Sequence, residues 1–164
     1  MDESSAEKSP FTNTSRGPGN WLKVRGRIDA ADTTPGAYGR TGVKGSRITV
    51  LESYVSFGDQ RFCTNTATEL VVEEGALVEH CKFQDENLDS FHLASLHVQL
   101  ARGSEFIHHS IAAGARLARN NICTNLAGEG VNCILNGLYL AKGEQVVDHH
   151  MVVEHSQPHG QSHE

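Results

Sequence analysis

The sequence predicts an all-β fold: a right-handed parallel β-helix, incomplete, preceded by a disordered or irregular N-terminal segment. Composition is the first reason. The chain has 16 glycines in 164 residues and only 6% aromatics, which suits short strands and tight turns better than a helical bundle. The second is an imperfect internal repeat aligned on Gly75, Gly103, Gly114 and Gly143. An apolar residue stands three places after each (Val78, Phe106, Leu117, Val146) and another eight places after (Phe83, Ile111, Ile122, Met151). A polar residue stands five places after (His80, His108, Arg119, Asp148), and Gly130 opens a partial copy with Cys133 and Leu138. A constant local pattern at irregular spacing fits stacked β-coils with variable loops. The third is the lack of any strong helical period: the stretch 93–103 runs Leu96, Val98, Leu100, which favours a strand. A β-sandwich is the main competing architecture.

In chain order, residues 1–20 are rich in Ser, Thr, Pro, Gly and charge, without periodicity, so disorder is the default there. Trp21–Ile28 alternates apolar and basic residues and suits a short strand. Residues 29–45 return to turn composition. Their GxxGxxG spacing has neither a strong strand before it nor a helix after it, so it reads as a flexible linker and not as a phosphate loop. From Ser46 the character changes. SRITVLESYVS places Ile48, Val50 and Tyr54 on one strand face, and ATELVVEEG is a second strand. Gln84–Ser90, QDENLDS, is a polar excursion between coils. The chain therefore divides into a flexible segment, 1–45, and a β-helix core, 46–164.

The net charge of -6 argues against a general nucleic-acid surface. It is uneven: residues 1–45 carry seven Lys/Arg against five acids, a net of +2, so the remainder carries -8. The acidic run Glu69, Glu73, Glu74, Glu79 reads as a solvated face. The cysteines Cys63, Cys81, Cys123 and Cys133 have no C-x-x-C spacing and read as small buried hydrophobes. No apolar run approaches 18 residues and no signal peptide follows Met1. The expected location is cytoplasmic, with reduced thiols and no membrane partner.

Leu135–His159 is the segment richest in chemistry-bearing side chains, with His149, His150, His155 and His159. Asp148-His149-His150 matches a phosphoesterase DHH triplet, but no D-x-D partner lies upstream. A cupin-like metal enzyme could use His149, Glu154 and His155 or His159. Its pattern, however, needs a second histidine where Met151 stands, and a mononuclear site needs three or four converging ligands. Strand alternation also puts His149, Met151 and Val153 on one face and His150, Val152 and Glu154 on the other. His108-His109 should leave one ring exposed. No G-x-S-x-G elbow is present, and Cys123 or Cys133 as a nucleophile would need an activating neighbour. The residues thus assign no catalytic, cofactor-binding or metal-binding side chain.

Several longer segments resemble the SufB/SufD family of iron–sulfur cluster assembly proteins, on the SufD-like side. They are SRITVLESYVS (46–56), FCTNTATELVVEEGALVEHCKFQDEN (62–87), FHLASLHVQLARGSEF (91–106), HSIAAGARLARNNI (109–122) and the run 126–164 containing LNGLYL, VDHH and EHSQPH. The resemblance implies a parallel β-helix and a non-enzymatic scaffold. It also implies a SufB-like paralogue and a SufC-like ATPase as partners, with the Fe–S cluster handled by the complex and no cofactor held by this chain alone. A plain β-solenoid interaction module is the other non-enzymatic alternative. Two departures are expected to matter. In the family the β-helix continues past the residue matching Glu164 and a helical SufC-docking region follows, so this chain is expected to be partial and to bind SufC poorly. Residues 1–45 do not resemble the family's N-terminal region, and Gly160 stands where many relatives have cysteine.

Overall fold

The computed structural model describes residues 9–17, 20–29, 44–56 and 61–164, with side chains from Lys44 onward. The strands are β1 (Ser9–Gly17), β2 (Asn20–Asp29), β3 (Arg47–Ser56), β4 (Cys63–Val72), β5 (Leu77–Asp85), β6 (Phe91–Leu100), β7 (Glu105–Ala112), β8 (Leu117–Leu126), β9 (Asn132–Tyr139), β10 (Val146–His155) and β11 (Gln161–His163). Among the described residues there is no helix. One sheet has the order β1-β2-β3-β5-β7-β9-β11 and the other β10-β8-β6-β4. From β3 onward every pairing is parallel and joins strands two apart in sequence. The chain is therefore a β-solenoid of about four turns, each coil giving one strand to each sheet. This is the predicted class, and not a sandwich.

The N-terminal strands obey another rule. Trp21–Ile28 lies within β2, as expected, and β2 runs antiparallel to β3. Ser9–Gly17, where composition suggested no regular element, is a strand paired antiparallel with β2. The hairpin thereby covers the outer edge of β3, which would otherwise offer unpaired backbone groups. Most of the GxxGxxG stretch lies outside the described residues.

The coil period shows at one corner. Gly45, Gly75, Gly103 and Gly130 all have φ between 63° and 70°, and His159 follows with φ 63°. These steps are 30, 28, 27 and 29 residues. This left-handed turn favours glycine because a Cβ would crowd the backbone. Gly114 and Gly143 precede strands of the other sheet, so the short glycine spacings in the sequence are half-coils.

The two apolar positions of the glycine repeat play different parts in the two sheets. Positions three and eight after a glycine have opposite parity on a strand and cannot both point inward. In the first sheet position three is inside: Val78, Phe106 and Cys133 are each fully buried. In the second sheet position eight is inside, as at Ile122, whereas Val146 at position three is 54% exposed. The polar fifth position splits likewise. His80 and His108 are buried, while Arg119 and Asp148 form a surface pair with Nη1 3.3 Å from Oδ2.

In register, Ile48, Val78, Phe106 and Cys133 stack as one inward column. Val72, Leu100 and Leu126 stack as another. Both belong to the buried apolar cluster, against which Met151 and Val153 pack from β10. Phe106 is the largest fully buried side chain. Phe106→Ala is expected to lower stability by about 3–5 kcal/mol, through lost transfer energy plus the cavity left behind. Urea denaturation measures this, and a loss below about 1 kcal/mol would show that the column can collapse around the gap.

Candidate functional site

Much of the rest of the interior is polar. It arises from ordinary alternation. Glu52 shares parity with Ile48, Val50 and Tyr54; Lys82 and Gln84 share it with Val78; His92 shares it with Ala94 and Leu96. All these side chains therefore enter the solenoid, on strand ends remote from the glycine corner. Glu52, His80, Lys82, Gln84, Glu86, His92, His108, Ser110 and Asn120 are each at most 5% exposed. Burying so many polar and ionisable groups is costly unless they are paired.

The pairing forms several linked groups. Glu52 Oε2 lies 3.1 Å from His80 Nε2, and His80 Nδ1 lies 3.1 Å from His108 Nδ1. A proton must sit between the two facing nitrogens, so one ring donates and the other accepts. Lys82 Nζ donates to Asn120 Oδ1 at 2.6 Å and lies 5.1 Å from the centre of the Tyr54 ring. Around Glu86, His92 Nδ1 lies 2.7 Å from Oε2, Gln84 Nε2 donates at 3.0 Å, and the Thr64 hydroxyl donates to Oε1. Further along, Ser110 Oγ lies 3.3 Å from His149 Nε2. In two of these, a first-sheet residue bonds across the interior to a second-sheet residue of the next coil: Lys82 to Asn120, and Ser110 to His149.

The electrostatics follow from burial and pairing. Burial pushes the Glu52 carboxyl up, but the His80 bond and the charges of His80, Lys82 and His92 outweigh it, and the net shift is downward. For Glu86 the bonds from His92, Thr64 and Gln84, with the charge of His92, likewise overcome burial. Burial lowers Lys82 to about 8 against the pull of Glu52 and Glu86. Burial, then the charges of His80 and Lys82, push His108 down to about 2, so it is neutral. Burial also lowers His92 and His149.

The C-terminal histidines do not converge. His149 turns inward and is half-buried, while His150, Glu154, His155 and His159 are exposed. His155 Nε2 is engaged with Ser162 Oγ at 3.0 Å. Among the described residues no three His, Cys, Asp or Glu side chains are grouped to hold a metal ion. The cupin ligand set of His149, Glu154 and His155 or His159 is therefore not assembled here: alternation separates the first two. His108 is buried, and His109, of opposite parity, is half-buried where an exposed ring was expected. Glu69, Glu73 and Glu74 are exposed, and Lys44 Nζ pairs with Glu74 at 2.9 Å. The expectation of buried cysteines holds for Cys133 alone. Cys81 and Cys123 are half-buried and Cys63 is exposed. Burial raises the Cys133 thiol to about 11, so it is not a poised nucleophile.

Gln84–Ser90 needs correction too. It is a corner within one coil, not a polar excursion, and Gln84, Glu86 and Ser90 are buried. The network is hard to see in the sequence because a histidine or acid between apolar strand residues has the character of an outer-face residue. Parity with Ile48, Val50 and Tyr54 was the available signal for Glu52.

Fold and interior together define a parallel β-solenoid with a half-polar core and, among the described residues, no grouping of His, Cys, Asp or Glu side chains able to hold a metal ion. The family model for the SufBD core domain, described as SUF system FeS cluster assembly, matches residues 38–164, and the chain belongs to that SufB/SufD family. It is similar to the iron-sulfur cluster assembly protein SufD of Escherichia coli, 31% identical over 69% of this chain and 27% of the relative. It is also similar to an iron-sulfur cluster assembly SufBD family protein of Synechocystis, 27% identical over 70% of this chain and 27% of the relative. A third relative is the chloroplastic protein ABCI7 of Arabidopsis thaliana, 27% identical over 73% of this chain and 25% of that protein. The chain thus spans about a quarter of the length of these relatives. No solved structure matches it. Among the described residues no helix is long and apolar enough to cross a membrane.

Proposed function

We propose that this chain is the β-solenoid core, residues 46–164, of a SufD-like scaffold in iron–sulfur cluster assembly, with residues 1–45 as a leading segment whose strands β1 and β2 extend the first sheet. It acts in the cytoplasm with a SufB-like paralogue and a SufC-like ATPase, without turnover of its own. The cluster is the cargo of the complex and not a resident cofactor of this chain. The observation that carries the reading is the SufBD core match across residues 38–164, coincident with the parallel coils. The half-polar interior supports a scaffold, since its ionisable groups are spent on one another. The chain, tagged and expressed from its own locus, is expected to co-purify with a SufB-like protein, and to bring down a SufC-like ATPase only through that partner. Recovery with neither, under conditions that preserve other complexes, would sink the proposal.

A further inference from the structure

We propose that the polar half of the solenoid binds one water molecule, seated between the Lys82–Asn120 pair and the Glu52–His80–His108 chain. A chamber of about 20 Å³ lies among these five residues, with Thr66 also on its wall. A buried water needs about 10–15 Å³ and two to four polar partners. The chamber meets both conditions and is too small for a larger polar ligand. The second observation is an orphaned donor. Asn120 is 3% exposed, its Oδ1 accepts from Lys82, and its Nδ2 has no hydrogen-bond partner among the described residues. Buried amide donors are rarely left unpaired.

Charge decides the class of ligand. The Lys82 ammonium faces the chamber and disfavours a cation; the Glu52 carboxylate faces it and disfavours an anion. A small neutral dipole satisfies both. The water accepts from Asn120 Nδ2 or Lys82 Nζ and donates towards the Glu52 carboxylate or the Thr66 hydroxyl. It thereby joins two groups that the direct hydrogen bonds leave separate: Glu52–His80–His108 in the first sheet, and Lys82–Asn120 across the interior.

The test is a high-resolution crystal structure of the full chain, with water-oxygen magnetic relaxation dispersion in solution. The expected result is one ordered density within hydrogen-bond distance of Asn120 Nδ2, and one long-lived water in solution. Asn120→Leu is nearly equal in size but removes the amide, and should abolish that water. Asn120→Ser enlarges the chamber and keeps a hydroxyl, and should retain it. If Asn120→Leu fails to fold, the wild-type density and Asn120→Ser still decide. A chamber without density, a relaxation signal unchanged in Asn120→Leu, or an anomalous peak there after bromide soaking would each overturn the proposal.

Discussion

Gly114→Ala is expected to cost this fold about 3 kcal/mol or more, enough to unfold a marginal domain. A Cβ at position 114 would lie 2.1 Å from the carbonyl oxygen of Glu86 and 2.3 Å from its nitrogen. Both are backbone atoms, so no side chain can swing aside. Retreat of the 113–115 segment is also blocked. Ala113 N donates to Gln84 O and Ala115 N donates to Glu86 O, each at 2.8 Å. Those bonds clamp the third coil onto the corner of the second, where the Glu86 carboxylate collects His92, Gln84 and Thr64. Displacing that corner would therefore disturb the buried network as well as the stack. Gly103→Ala is the contrasting control. It meets nothing within 4 Å and bears only the left-handed backbone cost, about 1–2 kcal/mol. Denaturation midpoints of the two variants measure the difference. Equal midpoints would show that the coils are not in close backbone contact at Gly114.

Acid is expected to destabilise the chain in two stages. His108 is held at about 2 when folded, against an ordinary 6.5. As pH falls below about 6.5, the unfolded chain binds a proton that the folded chain refuses, so stability drops. His92 is lowered too and adds in the same sense. Glu52 and Glu86 are both depressed from 4.5, so their contribution is present above that value. It is lost as pH falls through their depressed folded values. Each unit of depression corresponds to about 1.4 kcal/mol, and all four groups act in one direction. Lys82 has the same sign at the alkaline end, so stability should rise between about 8 and 10.5. Unfolding free energies across this range are the measurement. His108→Leu should flatten the acid limb above the carboxylate range. A wild-type profile flat from about 6.5 to 4.5 would refute the buried neutral imidazole.

Much of the fold was legible in the sequence. Alternation placed Ile48, Val50 and Tyr54 on one face, and they are buried together. It separated His149 from His150, as found. The repeat glycines marked the starts of β5, β7, β8, β9 and β10. What misled was the reading of polar residues. On a strand of a closed coil, parity alone decides whether a side chain enters the core, and hydrophobicity is only a proxy for parity. His80, Lys82 and His92 are inside because Val78 and Leu96 are, although their own character argued for the surface.

The sequence by itself determined the strand pattern, the glycine corners and the family, because backbone alternation and turn preference are local properties. Only the tertiary structure decided which polar groups meet. Glu52 with His80, His80 with His108, and Lys82 with Asn120 lie 28, 28 and 38 residues apart. Those separations are one coil, one coil, and one coil plus a crossing of the interior. The contacts are therefore set by the stacking register, which comes from the lengths of corners whose spacing varies from 27 to 30 residues. No local window of sequence contains that register, so the ionisable interior becomes visible only when the coils are stacked.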